Sequence, residues 1–145
     1  MILYLLRHGE AEPYGRADDA SRALVPAGRK AVTRVAAELD KVDAVFCSPY
    51  LRARQTADLV LPATGQTIYQ LNDGLTPDSS VPALLSWLDS FKQERLLLVA
   101  HNPLLSYLAS QLTGLPGGVS LGTANLACLD VSDCLPGGAE LLWVK

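Results

Sequence analysis

Two histidines occur in the chain, His8 and His101, and each stands where a short apolar run stops. Ile2-Leu3-Tyr4-Leu5-Leu6 leads into Arg7, His8, Gly9 and Glu10, and Leu96-Leu97-Leu98-Val99-Ala100 leads into His101, Asn102 and Pro103. Such runs predict buried parallel strands, and open α/β sheets bind ligands beyond the carboxyl ends of their strands. A third run, Ala44-Val45-Phe46-Cys47, ends on Ser48 and Pro49, with Arg52 three residues further on. One sheet edge would thus gather two imidazoles and the guanidinium forks of Arg7 and Arg52, which suit phosphate oxygens. Gly9 is expected to let the chain turn sharply or a ligand approach the backbone. Ser48-Pro49 and Asn102-Pro103 read as cap-then-proline helix starts, whose free amides and dipoles favour an anion. The combination predicts a phosphoryl pocket.

The chemistry follows from the imidazoles. A neutral imidazole is a nucleophile toward phosphorus, and nearby arginines lower its pKa from about 6.5. A protonated second ring would stabilise charge on the equatorial oxygens, so opposed environments would give the two rings different roles. The expectation is that His8 attacks and His101 donates. Arg22 is a candidate substrate contact, although it also reads as an ordinary loop arginine. Ser48 and Asn102 read as caps first, with Asn102 incidentally in the pocket. Glu10 and Glu12 read as loop carboxylates. Cys47 has four residues between it and Arg52 and six between it and Arg54, so a Cys-x5-Arg phosphate loop fails. Two histidines with scattered carboxylates make a poor hydrolytic metal site, and no metal or cofactor is expected.

The positioning elements can be read from periodicity. After the first strand, residues 11–24 read as a loop over the sheet edge. Pro26 opens a helix with Val32, Val35, Ala36 and Leu39 inward. The helix after Pro49 buries Ala53, Thr56, Ala57 and Val60 and stops at Pro62. A third strand is expected over residues 67–71. A loop, residues 72–80, leads to a helix packing Leu84, Trp87, Leu88 and Phe91. Residues 95–100 are the most apolar strand and should be central. The next helix packs Leu105, Leu108, Ala109 and Leu112 and closes at Gly114. Residues 125–131 and 139–144 flank a turn and predict an antiparallel edge pair. The expected fold is a three-layer α/β sandwich with a mostly parallel sheet, in one domain spanning residues 1–145.

Composition narrows the partners. The 145 residues carry 12 basic and 15 acidic side chains, a net charge of −3 with no basic run, which argues against nucleic acid. Five apolar residues precede Arg7, too few for a signal peptide or membrane span, so a cytoplasmic monomer away from membranes is expected. Cys47, Cys128 and Cys134 form no CxxC pair and are expected as reduced thiols.

Leu6-Arg7-His8-Gly9-Glu10 resembles the Arg-His-Gly signature of the histidine phosphatase superfamily, which includes phosphoglycerate mutases. The stretch from Ser48-Pro49-Tyr50-Leu51-Arg52 to Gln55-Thr56-Ala57 resembles its second motif, whose arginine grips phosphate. Val99-Ala100-His101-Asn102-Pro103 resembles the third, with the second histidine. Within the family, the small size resembles the SixA-like phosphohistidine phosphatases. Arg22-Ala23-Leu24-Val25-Pro26-Ala27-Gly28 is similar to their Arg-Pro-Leu-Thr-x-x-Gly segment, with Ala23 for proline and Val25 for threonine, and Leu75-Thr76-Pro77 to their Leu-Thr-Pro. The resemblance implies a phosphoglycerate mutase-like fold and a phosphatase. Mutases and sugar phosphatases of the family carry a glutamate acid after the third strand. Here residues 71–78 contain none, although Asp73 and Asp78 remain candidates. Imidazole leaves readily once protonated, which fits a phosphorus–nitrogen bond. The expected substrate is phosphohistidine on a protein. The alternatives are a small phosphorylated metabolite as substrate, or a catalytically silent phosphate-binding module.

Overall fold

The apolar runs pair into one six-stranded sheet in a computed structural model of the chain, which describes residues 1–15, 18–91 and 94–145. Strands β1 (Ile2–Arg7), β2 (Ala44–Cys47), β3 (Gln70–Leu71), β4 (Arg95–Ala100), β5 (Leu126–Val131) and β6 (Ala139–Val144) lie in the order β3-β2-β4-β1-β5-β6. The first four in that order run parallel, and β5 and β6 are antiparallel to their neighbours. As expected, β4 is interior, and its last five residues are buried. Arg16 and Ala17, within the expected loop of residues 11–24, lie outside the described residues. An antiparallel bridge between Ala11 and Leu24 closes that loop.

Four helices cover the two faces: α1 (Pro26–Val35), α2 (Leu51–Val60), α3 (Val81–Leu88) and α4 (Leu104–Thr113). Val32, Val35, Leu39, Ala53, Ala57 and Val60 pack with Tyr4, Leu6, Val45 and Leu97 on one face. Leu84, Leu88, Leu105, Leu108 and Leu112 pack with Leu3, Leu5, Leu96 and Leu98 on the other. Alternate residues of β1 and β4 thus enter opposite cores, as the two-residue period of a strand requires. The result is the three-layer α/β sandwich.

Three boundaries differ from expectation. The third strand shrinks to two residues because it is an edge with β2 as its only neighbour, and Ile68 is left exposed. The helix after Ser48 begins only at Leu51, with Tyr50 at its N-cap and no side-chain cap. The last helix begins at Leu104 after Pro103, again without a bond from the N-cap side chain. Gly114 ends that helix in the left-handed conformation, at φ 61°.

Candidate active site

Register brings the histidines together. Arg7 pairs with Ala100 across β1 and β4, and Cys47 pairs with Val99 across β2 and β4. The residues that follow, His8, His101 and Ser48, therefore emerge side by side at the carboxyl edge. The rings of His8 and His101 lie 5.1 Å apart, centre to centre.

His8 is 7% exposed. Its Nδ1 lies 2.7 Å from the Gly9 carbonyl oxygen, and a carbonyl only accepts, so Nδ1 carries the proton. Nε2 is left with its lone pair, and Nε of Arg52 donates to it at 3.3 Å. Burial lowers the pKa of His8 to about 4; the Gly9 bond opposes that, and Arg52, Arg7 and Arg22 reinforce it. The nucleophile expected from the sequence is thus a neutral ring with a fixed tautomer.

His101 departs from expectation. It is 1% exposed, and burial, then His8, Arg52, Arg7 and Arg22, lower its pKa to about 2. The two environments are alike rather than opposed, because each ring is buried among cations with no carboxylate bonded to it. Nε2 of His101 lies 2.7 Å from Ser48 Oγ. That oxygen accepts from the Tyr50 amide at 3.2 Å and keeps a second lone pair and its own hydrogen, so the Ser48–His101 bond can run in either direction. When Ser48 is the donor, the neutral ring carries its proton on Nδ1, which is buried and has no hydrogen-bond partner among the described residues. His101 can therefore donate a hydrogen bond without being charged. Tyr50 packs edge-on against it, with ring centres 5.0 Å apart.

Arg52 is 3% exposed and sits in the first turn of α2. Arg7 donates from Nη1 to the Leu121 carbonyl at 3.0 Å, and its buried Nε has no partner among the described residues. Burial, then the Arg52 charge, lowers the pKa of Arg7. Arg7 is half-buried and Arg52 buried, and the repulsion between their like charges favours a bound anion.

The remaining sequence candidates divide. Arg7, His8, Arg22, Arg52 and Asn102 line one cleft of about 290 Å³, together with Glu10, Tyr14, Asp19 and Pro77. Arg22 reaches the cleft, but its donors are engaged: Nε and Nη2 bond Asp19 Oδ1 at 2.9 and 2.8 Å, and Nη1 bonds the Glu12 carbonyl at 2.7 Å. Asn102 is also engaged: Nδ2 donates to the Leu121 carbonyl at 2.7 Å, and Oδ1 accepts from Ser106. Gly9, expected to permit a sharp turn or a close approach, packs tightly against its own chain. Its amide donates to Thr56 Oγ1 at 3.1 Å, and a Cβ there would lie 2.8 Å from both Gly28 O and Val32 Cγ2. The close approach its sequence position suggested is to α1. Asp73 and Asp78 are not among the residues lining the cleft, whereas Glu10 and Asp19 are.

Sequence reasoning missed Ser48, Tyr50 and Asp19. Ser48 gave the signal of a helix cap, which hid its bond to a histidine 53 positions away. Tyr50 gave none, and Asp19 only its spacing of three from Arg22. Among the described residues no group of three His, Cys, Asp or Glu side chains is placed to hold a metal ion.

Residues 3–76 match the family model of the histidine phosphatase superfamily, branch 1. An uncharacterized protein of Picosynechococcus is 35% identical over 111 residues, covering 71% of this chain and 67% of that one. A protein of Haemophilus influenzae named as a phosphohistidine phosphatase SixA homolog is 26% identical over 143 residues, covering 89% and 87%. The solved structure of the protein histidine phosphatase SixA with tungstate superposes with a TM-score of 0.86 at 24% identity, covering 100% of this chain and 96% of that one.

Proposed function

The chain belongs to branch 1 of the histidine phosphatase superfamily, and from that premise we propose that it removes the phosphoryl group from phosphohistidine on a protein. The observation that carries the reading is a neutral, tautomer-fixed His8 whose unprotonated Nε2 faces Arg52, with the unpartnered Arg7 Nε in the same cleft among the described residues. Nε2 attacks phosphorus in line, the phosphorus–nitrogen bond of the substrate breaks, and the substrate's imidazole, protonated from solvent on its other ring nitrogen, departs neutral. Water then attacks the phosphorylated His8, releasing phosphate and restoring the lone pair. Arg52, Arg7 through its unpartnered Nε, and His101 through Nδ1–H hold the equatorial oxygens, the interactions that matter most in phosphoryl transfer.

The choice of a phosphorus–nitrogen substrate rests on the acids available. Asp19 bonds two arginines and is held ionised, so it has no proton to give. Glu10, exposed at the cleft, is the feature that favours the second reading, a small-molecule phosphomonoesterase, because it could protonate an alkoxide. The test compares kcat/KM on a phosphohistidine-bearing protein with that on sugar and aryl phosphates, and maps the quenched adduct. The proposal expects an acid-labile, alkali-resistant phosphate on His8 and a preference for the phosphoprotein. A preference for the esters selects the second reading. Hydrolysis no faster than that of His8→Ala leaves a phosphate-binding module.

The partner chemistry expected here is that phosphorylated protein. Among the described residues no helix is long and apolar enough to cross a membrane.

A further inference from the structure

We propose that Asp19 is a positioning residue of this site, holding Arg52 so that one edge of its guanidinium faces Nε2 of His8. The inference rests on the reading above, in which Arg52 grips the transferred group. Both terminal nitrogens of Arg52 bond one residue: Nη1 donates to the Asp19 carbonyl at 2.6 Å, and Nη2 to Asp19 Oδ2 at 3.2 Å. A guanidinium offers two forks, one across its terminal nitrogens and one from Nε with the adjacent Nη. Asp19 closes the first. The second faces the nucleophile, since Nε donates to His8 Nε2 at 3.3 Å.

Asp19 is itself anchored. Its Oδ1 accepts from Nε and Nη2 of Arg22, and the Arg22 guanidinium lies over the Tyr14 ring at 4.1 Å. The carboxylate therefore ties the loop between β1 and α1 to the first turn of α2 at the arginine that touches His8. Burial acts to raise its pKa, but the Arg22 bond and the Arg52 charge and bond outweigh that, so it stays ionised. Without the Asp19 carboxylate, Arg52 keeps the Nη1 bond to the main-chain carbonyl but loses the second bond, at Nη2, that fixes its plane, and a misplacement of about 1 Å in such a group can cost up to 10²-fold in rate.

The experiment is a double-mutant cycle on the full chain with p-nitrophenyl phosphate, using Asp19→Ala, Arg52→Ala, the double variant, and His8→Ala as the blank. Asp19→Ala is expected to lower kcat about 10-fold with KM altered less than about twofold, because the fork is misaligned rather than removed. In the Arg52→Ala background the same change should cost less than about twofold, since residues in one network are not additive. Equal losses in both backgrounds would mean that Asp19 acts on the loop and not through Arg52, and would overturn the inference. An unchanged kcat in Asp19→Ala would do the same. If Asp19→Ala does not fold, Asp19→Asn keeps one acceptor and is judged by the same two criteria. A wild type no faster than His8→Ala, on p-nitrophenyl phosphate and on the phosphohistidine-bearing protein alike, would instead overturn the functional reading, and this inference with it.

Discussion

His8 should stay neutral, and the enzyme should keep its proposed nucleophile, well below the pH at which an ordinary histidine charges. The perturbation is acid. With a pKa of about 4, burial being the first cause, His8 is neutral down to roughly two units below the ordinary value. At about pH 5.5 an unperturbed imidazole is about one-tenth neutral, whereas one with a pKa near 4 is more than about nine-tenths neutral. The structure therefore predicts about tenfold more active nucleophile at that pH than an exposed histidine would supply. Because the chain has two histidines, its imidazole NMR spectrum holds two signals, and a His8→Ala sample assigns them. Neither signal should titrate between about pH 8 and about pH 5, and kcat/KM, corrected for ionisation of the substrate, should stay level over the same range. A His8 signal moving with a midpoint near 6.5, or a tenfold fall in kcat/KM by about pH 5.5, would refute the argument from burial. A His101 signal already charged at about pH 6 would restore the protonated donor that its burial rules against.

Other outcomes follow from the same contacts. Ser48→Ala leaves Nε2 of His101 and the Tyr50 amide without their partner, and should cost about 1–3 kcal/mol in denaturant unfolding together with a fall in kcat as the tautomer is released. Gly9→Ala forces a methyl against Gly28 O and Val32 Cγ2, 2.8 Å away in each case, and should destabilise by about 1–3 kcal/mol in the same assay. Both histidines have folded pKa values below the unfolded one, so the unfolded chain binds the extra protons as pH falls below about 6.5. The stability they contribute is full above that pH and shrinks as pH drops toward 4, by about 2 kcal/mol for each ring at about pH 5. Urea midpoints at about pH 7.5 and about pH 5 measure it, and a higher midpoint at the lower pH would contradict the sign.

Local chemistry announced the candidate nucleophile, its arginines and the elements that deliver them. His8, Arg52 and His101 each follow an apolar run, and short runs of that kind bounded by polar residues read as buried strands with a ligand site beyond their carboxyl ends. The helical faces of α1 through α4 were legible for the same reason, since burial imposes a 3.6-residue period on whatever sequence forms the helix. Roles that depend on distant partners were not legible. Ser48 looks like a cap because a hydroxyl before proline has that local use, and only the pairing of β2 with β4 shows it bonded to His101. Asn102 reads as a cap beside the pocket and does line the cleft, but only the fold shows Leu121 as the partner of its amide nitrogen.

The sequence by itself determined which side chains can attack and bind phosphorus, because reactivity belongs to residue type and strand ends are written in hydrophobic pattern. Strand order and register belong to the tertiary structure alone, because they arise from pairing between segments as far apart as Ile2 and Asp130. That pairing buried both imidazoles among cations, made His101 a neutral donor where a charged one was expected, and brought Asp19 onto Arg52. Protonation state and orientation depend on what surrounds a group in space, and neighbours in space are what folding adds to neighbours in sequence.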